Sequence, residues 1–247
     1  MATLHIKVRF EVPPKLEDVR KKVHERTGLK VALGIDSIDP GHEWPELGLI
    51  REAGSLECDE AGDSDLGADL RTNYTPMIRA IRACPKPVIA ALNGTAAGAG
   101  LSLALACDIR LAATGTPLIV VFVRVGLVPD AGSLFFLTRM LGLSKATELA
   151  ITGDPLSAED AHRLGLVAAV VPPDQLMTAA MERARRLAAG PRQTYALIKR
   201  GMERALDLDL EQTLELESQL QALAAKTPDA QEAIRAFLEK RKPVFGR

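Results

Sequence analysis

The chain has 247 residues, of which 47% are apolar and 26% charged, with a formal net charge of −1. That balance can bury a real core, as one large domain or one domain with a small appendage, and excludes a global field recruiting nucleic acid or an anionic membrane. Aromatic residues are few and not interleaved with basic ones, which argues against a single-strand-binding surface.

Leu4, Ile6, Val8, Phe10 and Val12 alternate with polar or charged residues, the period of a half-buried strand, and Pro13-Pro14 stop it. Leu16, Val19 and Val23 give a short helical stripe closed by Gly28, and residues 30–35 read as another strand. Residues 37–69 are rich in Gly, Asp and Glu with little periodicity, so they read as loop with a weak helix over 47–52. Met77, Ile78, Ile81 and Arg82 fit a helix that Pro85-Lys86-Pro87 ends. Residues 88–92 form a short, apolar, buried strand closed by Asn93-Gly94. The nearly side-chain-free run 95–100 leads into an apolar helix over 101–107, and strands are predicted over 108–113 and 118–123. Helices follow over 131–141, 145–151, 158–164, 175–189, 192–206, 210–225 and 230–240. Strands lead, helices close the chain, and no internal repeat occurs.

Cys58, Cys84 and Cys107 are scattered with no CxxC pair, which predicts reduced thiols in an intracellular compartment. The start of the chain lacks signal-peptide character, and its most apolar stretch is broken by Asp108 and Arg110. A soluble, cytoplasmic protein is expected.

Two stretches have a use in chemistry. Gly98-Ala99-Gly100 allows close backbone approach just where a helix begins, and the unpaired N–H groups of a helix start suit a phosphate or a developing oxyanion. The same residues also suit plain helix–strand packing. Asp130, in Gly-Leu-Val-Pro-Asp-Ala-Gly, stands before an apolar helix. It reads equally as an N-cap and as a carboxylate whose apolar surroundings raise its pKa into the range of a useful base.

Other templates are missing. GxSxG and GxxxxGK[ST] are absent, position 103 is leucine where GxGxxG needs glycine, and His5, His24, His42 and His162 have no metal-ligand spacing. The basic run Lys240-Arg241-Lys242 is by default a solvated helix end.

From residue 77 to 247 the sequence resembles the enoyl-CoA hydratase/isomerase (crotonase) superfamily. The stretches PKPVIAALNGTAAGAGLSLALACDIRLAA, GLVPDAGS, ITGDPLSAEDAHRLGLV and AIRAFLEKRKPVF carry the likeness in the family's order and spacing. It resembles most the ring-1,2-epoxyphenylacetyl-CoA isomerases of phenylacetate degradation. The resemblance implies an α/β fold, a crotonase-like spiral of ββα units over 1–190 (with 1–65 atypical), and a helical oligomerisation region over 191–247. That region implies a homotrimer or a dimer of trimers. The resemblance further implies Asp130 as catalytic base and the Ala99 N–H as one oxyanion-hole donor. Phe237 and Lys240 would hold the adenosine end of coenzyme A, which enters as part of the substrate, so no separate cofactor is expected. Gly67-Ala68-Asp69-Leu70 is similar to the end of the loop that gives the second donor, Ala68; it reads equally as a polar turn.

The positions of the two hydratase glutamates hold Ser102 and Phe122, neither able to activate water. The expectation is therefore an acyl-CoA isomerase. The alternatives are a hydratase, which needs a second carboxylate near Asp130, and a crotonase-fold protein that binds acyl-CoA without catalysis.

Overall fold

A computed structural model of the chain describes residues 66–246 and the backbone of His5–Ile6. The strands, helix and loop expected between residues 7 and 65 lie outside the described residues. The described residues divide into two compact units. One holds 5–6, 66–82 and 89–180; the other holds 83–88 and 181–246.

The first unit is built on two parallel sheets. One sheet takes β1 (His5–Ile6), β2 (Ile89–Leu92), β4 (Ile109–Ala113) and β6 (Ala169–Val171), side by side in that order. The other pairs only β3 (Ala96–Ala97) with β5 (Leu118–Ile119). The chain thus visits the large sheet, then the small one, then a helix, and repeats. β2 and β3 lead into α3 (Ala99–Ala106), and β4 and β5 lead into α4 (Ser133–Thr152). Before them, α1 (Leu66–Asp69), a π-helical turn (Leu70–Tyr74) and α2 (Thr75–Ala83) form one continuous helical stretch.

Burial follows from composition. β2 is apolar throughout and fully buried, as expected of a strand covered on both faces. α3 is apolar on every face except at Ser102 and buried from Gly100 to Ala106, so it forms the unit's central helix. Its C-terminal carbonyls are closed by Arg110. That guanidinium donates to Leu166 O and Cys107 O at 2.5 Å each and to Leu105 O at 3.3 Å. A cation suits this negative helix end, and burial lowers its pKa.

Several expectations need correction. The strand predicted over 118–123 stops at Ile119 and gives way to a 3-10 helix, Val121–Val125. Its partner β3 is two residues long and is followed by Gly98, whose backbone (φ 54°, ψ −131°) cannot continue a ladder. The helix predicted from residue 131 begins at Ser133, and the break predicted after 141 is a kink at Gly142. Residues 66–69, read as loop or polar turn, are helical.

The second unit carries α7 (Arg192–Ala205), α8 (Leu210–Ala225) and α9 (Pro228–Leu238), while α6 (Leu176–Ala188) spans the boundary between the units. Asp209 caps α8 in a reciprocal pair with Gln212, and Thr227 caps α9 ahead of Pro228. No helix among the described residues is long and apolar enough to cross a membrane.

Candidate active site

The site grows from two helix starts. α3 begins after Gly98, whose backbone conformation favours glycine, and a Cβ there would come within 3.4 Å of Val121 Cγ1. No side chain caps this start. Among the described residues no backbone carbonyl accepts from the Ala99 N–H, the usual state of a first-turn amide at the positive end of a helix dipole.

Asp130 sits in the turn before α4. Ala131 (φ 48°) and Gly132 (φ 88°) are both left-handed. A Cβ at Gly132 would strike Phe136 Cε2 at 2.7 Å, so that position needs glycine. Gly132, not Asp130, is the N-cap, and no side chain caps the helix. The capping role weighed for Asp130 is thus corrected. Its carboxylate is free for other work.

That carboxylate is held in an unfavourable place. Oδ1 is buried without a hydrogen-bond partner. Burial first, and the Asp69 carboxylate second, push its pKa above the usual value. Both effects make it a stronger base.

Ser102, on the first turn of α3, links the two starts. Its Oγ lies 3.1 Å from Gly98 O, 3.0 Å from Asp130 O and 2.6 Å from Ser133 Oγ. The backbone around Ala99 and that of Asp130 therefore meet at one hydroxyl. Phe122 is buried, and its ring edge lies 3.8 Å from where a Gly98 Cβ would stand. Positions 102 and 122 are thus filled by a wholly buried hydroxyl and a wedged, buried ring.

Sequence reasoning missed two neighbours of Asp130, Asp69 and Tyr74. Thr75 N–H bonds Leu70 O across five residues, and this π turn follows Asp69 and ends on Tyr74. The Tyr74 phenol pKa is raised, first by burial and then by the charges of Asp69 and Asp130. One turn on, Ile78 Cγ2 stands 3.7 Å from the place of a Gly132 Cβ. Another turn on, Arg82 lies over the Phe136 ring at 6.0 Å and donates to Ala106 O at 3.1 Å and Asp108 Oδ1 at 3.3 Å. The spacing 74, 78, 82 was the available signal for this face.

Ala68 lies in α1 beside Asp69, its carbonyl accepting from Thr72 Oγ1 at 2.9 Å. Phe237, 82% exposed near the end of α9, and Lys240, exposed just beyond it with φ 53°, belong to the helical unit. Ala99, Ser102, Asp130, Asp69 and Tyr74 all belong to the α/β unit.

The family model for enoyl-CoA hydratase/isomerase matches residues 56–247. A protein of Rhodobacter capsulatus named probable enoyl-CoA hydratase is 41% identical over 176 residues, covering 71% of this chain and 68% of that protein. The 1,2-epoxyphenylacetyl-CoA isomerase of Escherichia coli is 41% identical over 181 residues, covering 73% and 69%. Among solved structures, an enoyl-CoA hydratase from Polaromonas sp. JS666 superposes with TM-score 0.70 at 36% identity, covering 74% of this chain and 72% of that one.

Proposed function

The chain belongs to the enoyl-CoA hydratase/isomerase family and has its crotonase fold, and from that premise we propose that it is an acyl-CoA isomerase working through an enolate. The observation that carries this reading is Asp130: a carboxylate with a buried, unpartnered oxygen, on a backbone that shares the Ser102 hydroxyl with the start of α3, with no glutamate at position 102 or 122.

The thioester oxygen accepts from the Ala99 N–H. Negative charge developing on that oxygen is stabilised by the start of α3, which acidifies the α-carbon. Asp130 takes the α-proton. Returning it at C4 of the dienolate completes a shift of the double bond from C3 to C2, with no water consumed. A ring-epoxide acyl group, as the name of the Escherichia coli relative indicates for that protein, is the other substrate class considered. Phe237 and Lys240 supply an exposed ring and cation for the adenosine end of coenzyme A. The C-terminal helices, with exposed Ile198, Met202 and Leu214, supply an apolar face for a homotrimer or a dimer of trimers.

One observation favours hydration as a second reading. Asp69 brings a further carboxylate into the surroundings of Asp130, which paired acid–base work on water would need. Product analysis separates the two. With 3-hexenoyl-CoA and crotonyl-CoA offered in turn, isomerisation without hydration is expected. Asp130→Asn is expected to bind the thioester and lose most turnover, about 100-fold or more. Undiminished turnover in that variant rules Asp130 out as the base. Faster loss of crotonyl-CoA than of 3-hexenoyl-CoA selects the hydratase.

A further inference from the structure

The Ser102–Ser133 pair has a structure that packing alone does not require. The two side chains are 0% and 1% exposed, and their oxygens are 2.6 Å apart. Ser133 Oγ has no other acceptor among the described residues, so its proton goes to Ser102 Oγ. Ser102 then has one proton for two carbonyls, Gly98 O and Asp130 O. Gly98 O already accepts from Ser102 N at 3.0 Å, and Asp130 O from Ser133 N at 2.8 Å. The hydroxyl chain is thus an added tie between two carbonyls that are already satisfied. It joins the peptide that presents the Ala99 N–H to the peptide that carries the Asp130 side chain.

The tie sits where the backbone needs holding. Ala131, next to that carbonyl, has φ 48°, a conformation disfavoured for a residue with a Cβ. Such a residue persists only when its surroundings over-determine it. We propose that Ser102 and Ser133 form a positioning clamp that fixes the Asp130 carboxylate relative to the oxyanion donor at Ala99. The clamp rests on the isomerase reading above. It assigns Ser102 a role opposite in kind to the glutamate of hydratases: it touches no substrate and instead sets the distance over which the base must reach. Misplacement of a reacting group by about 1 Å costs on the order of 100-fold in rate.

The test uses the full-length protein with 3-hexenoyl-CoA for turnover and butyryl-CoA for calorimetric binding. Ser102→Ala should lower kcat by about 10- to 100-fold while butyryl-CoA affinity stays within about threefold. Ser133→Ala leaves the Ser102 donor in place and should lower kcat by a smaller factor, about 3- to 10-fold. The double variant should be no slower than Ser102→Ala, because the two hydroxyls act as one chain. The Ser133 arm also stands alone if Ser102→Ala fails to fold. Unchanged kcat in either folded single variant overturns the clamp, as does a loss of affinity that matches the loss of kcat. Asp130→Asn, run alongside, keeps the two ideas apart. Turnover that survives in it sinks the isomerase reading and the clamp together. Turnover lost there but retained in both serine variants sinks the clamp alone.

Discussion

Asp130 trades stability for basicity, and the trade has a sign. Its pKa is raised in the folded chain, so over the window from the ordinary 3.8 up to the folded value the native state binds more protons than the unfolded one. Stability therefore falls as pH rises through that window, and the full cost is present above it. Asp130→Asn should raise the Tm at pH 7, and the gain should vanish below pH 3.8; thermal melts across pH check this, and a lower Tm at pH 7 contradicts it. Asp69 is the second cause of the raised pKa. Asp69→Asn should move the acid limb of kcat/KM to lower pH, because removing a like charge eases ionisation of Asp130; an unmoved limb means the two carboxylates do not communicate. Asp130 and Ala99 were legible because each sits in a compact local motif. Asp69 and Tyr74 were not. Their relation to Asp130 spans about 60 residues of chain: the 74, 78, 82 spacing marks a helical face, but neither it nor any residue pattern in 66–74 announces the π turn or what that face meets.

At the scale of elements, the sequence was readable wherever hydrophobic period and capping agreed, as in α8, whose predicted range 210–225 matches Leu210–Ala225. It misled where partner length decided the outcome. Residues 118–123 are β-prone, yet only Leu118 and Ile119 find a ladder, and the rest coil so that Phe122 reaches Gly98. β6 escaped notice because three residues carry no period; pairing with β4 makes it a strand. The turn before α4 gives a direct test of strain. Ala131→Gly should stabilise the fold by about 1 kcal/mol, since glycine enters φ 48° without a Cβ penalty. Urea unfolding with an unchanged m-value measures it, and a destabilised variant would show that Ala131 is not strained. The other end of α3 depends on Arg110, which serves Leu105, Cys107 and Leu166 carbonyls. Arg110→Met should cost about 2–4 kcal/mol by stranding buried acceptors, a fall of roughly 5–15 °C in Tm.

The molecule as a whole presents an apolar face on its helical unit that a lone chain has little reason to keep. α7 and α8 flank a groove of about 610 Å³ lined by Leu197, Ile198, Met202, Leu214 and Leu220, with the small Gly201 letting the helices close on Leu220. Met202 is 73% exposed, and Leu206 and Leu210 beside the α7–α8 turn are also exposed. Burying each such side chain contributes about 1.5–3 kcal/mol, enough in sum to offset the entropy of association. With a formal net charge of only −1, mutual repulsion between copies adds little against it. The homotrimer or dimer of trimers proposed above corresponds to three or six chains of 26.5 kDa each. Sedimentation should return such a multiple for the wild type, and Met202→Glu with Leu214→Lys should shift the population toward single chains by placing charge on the covered face. A wild-type chain that sediments singly at micromolar concentration would remove the oligomer and leave this apolar face without a partner of its own kind.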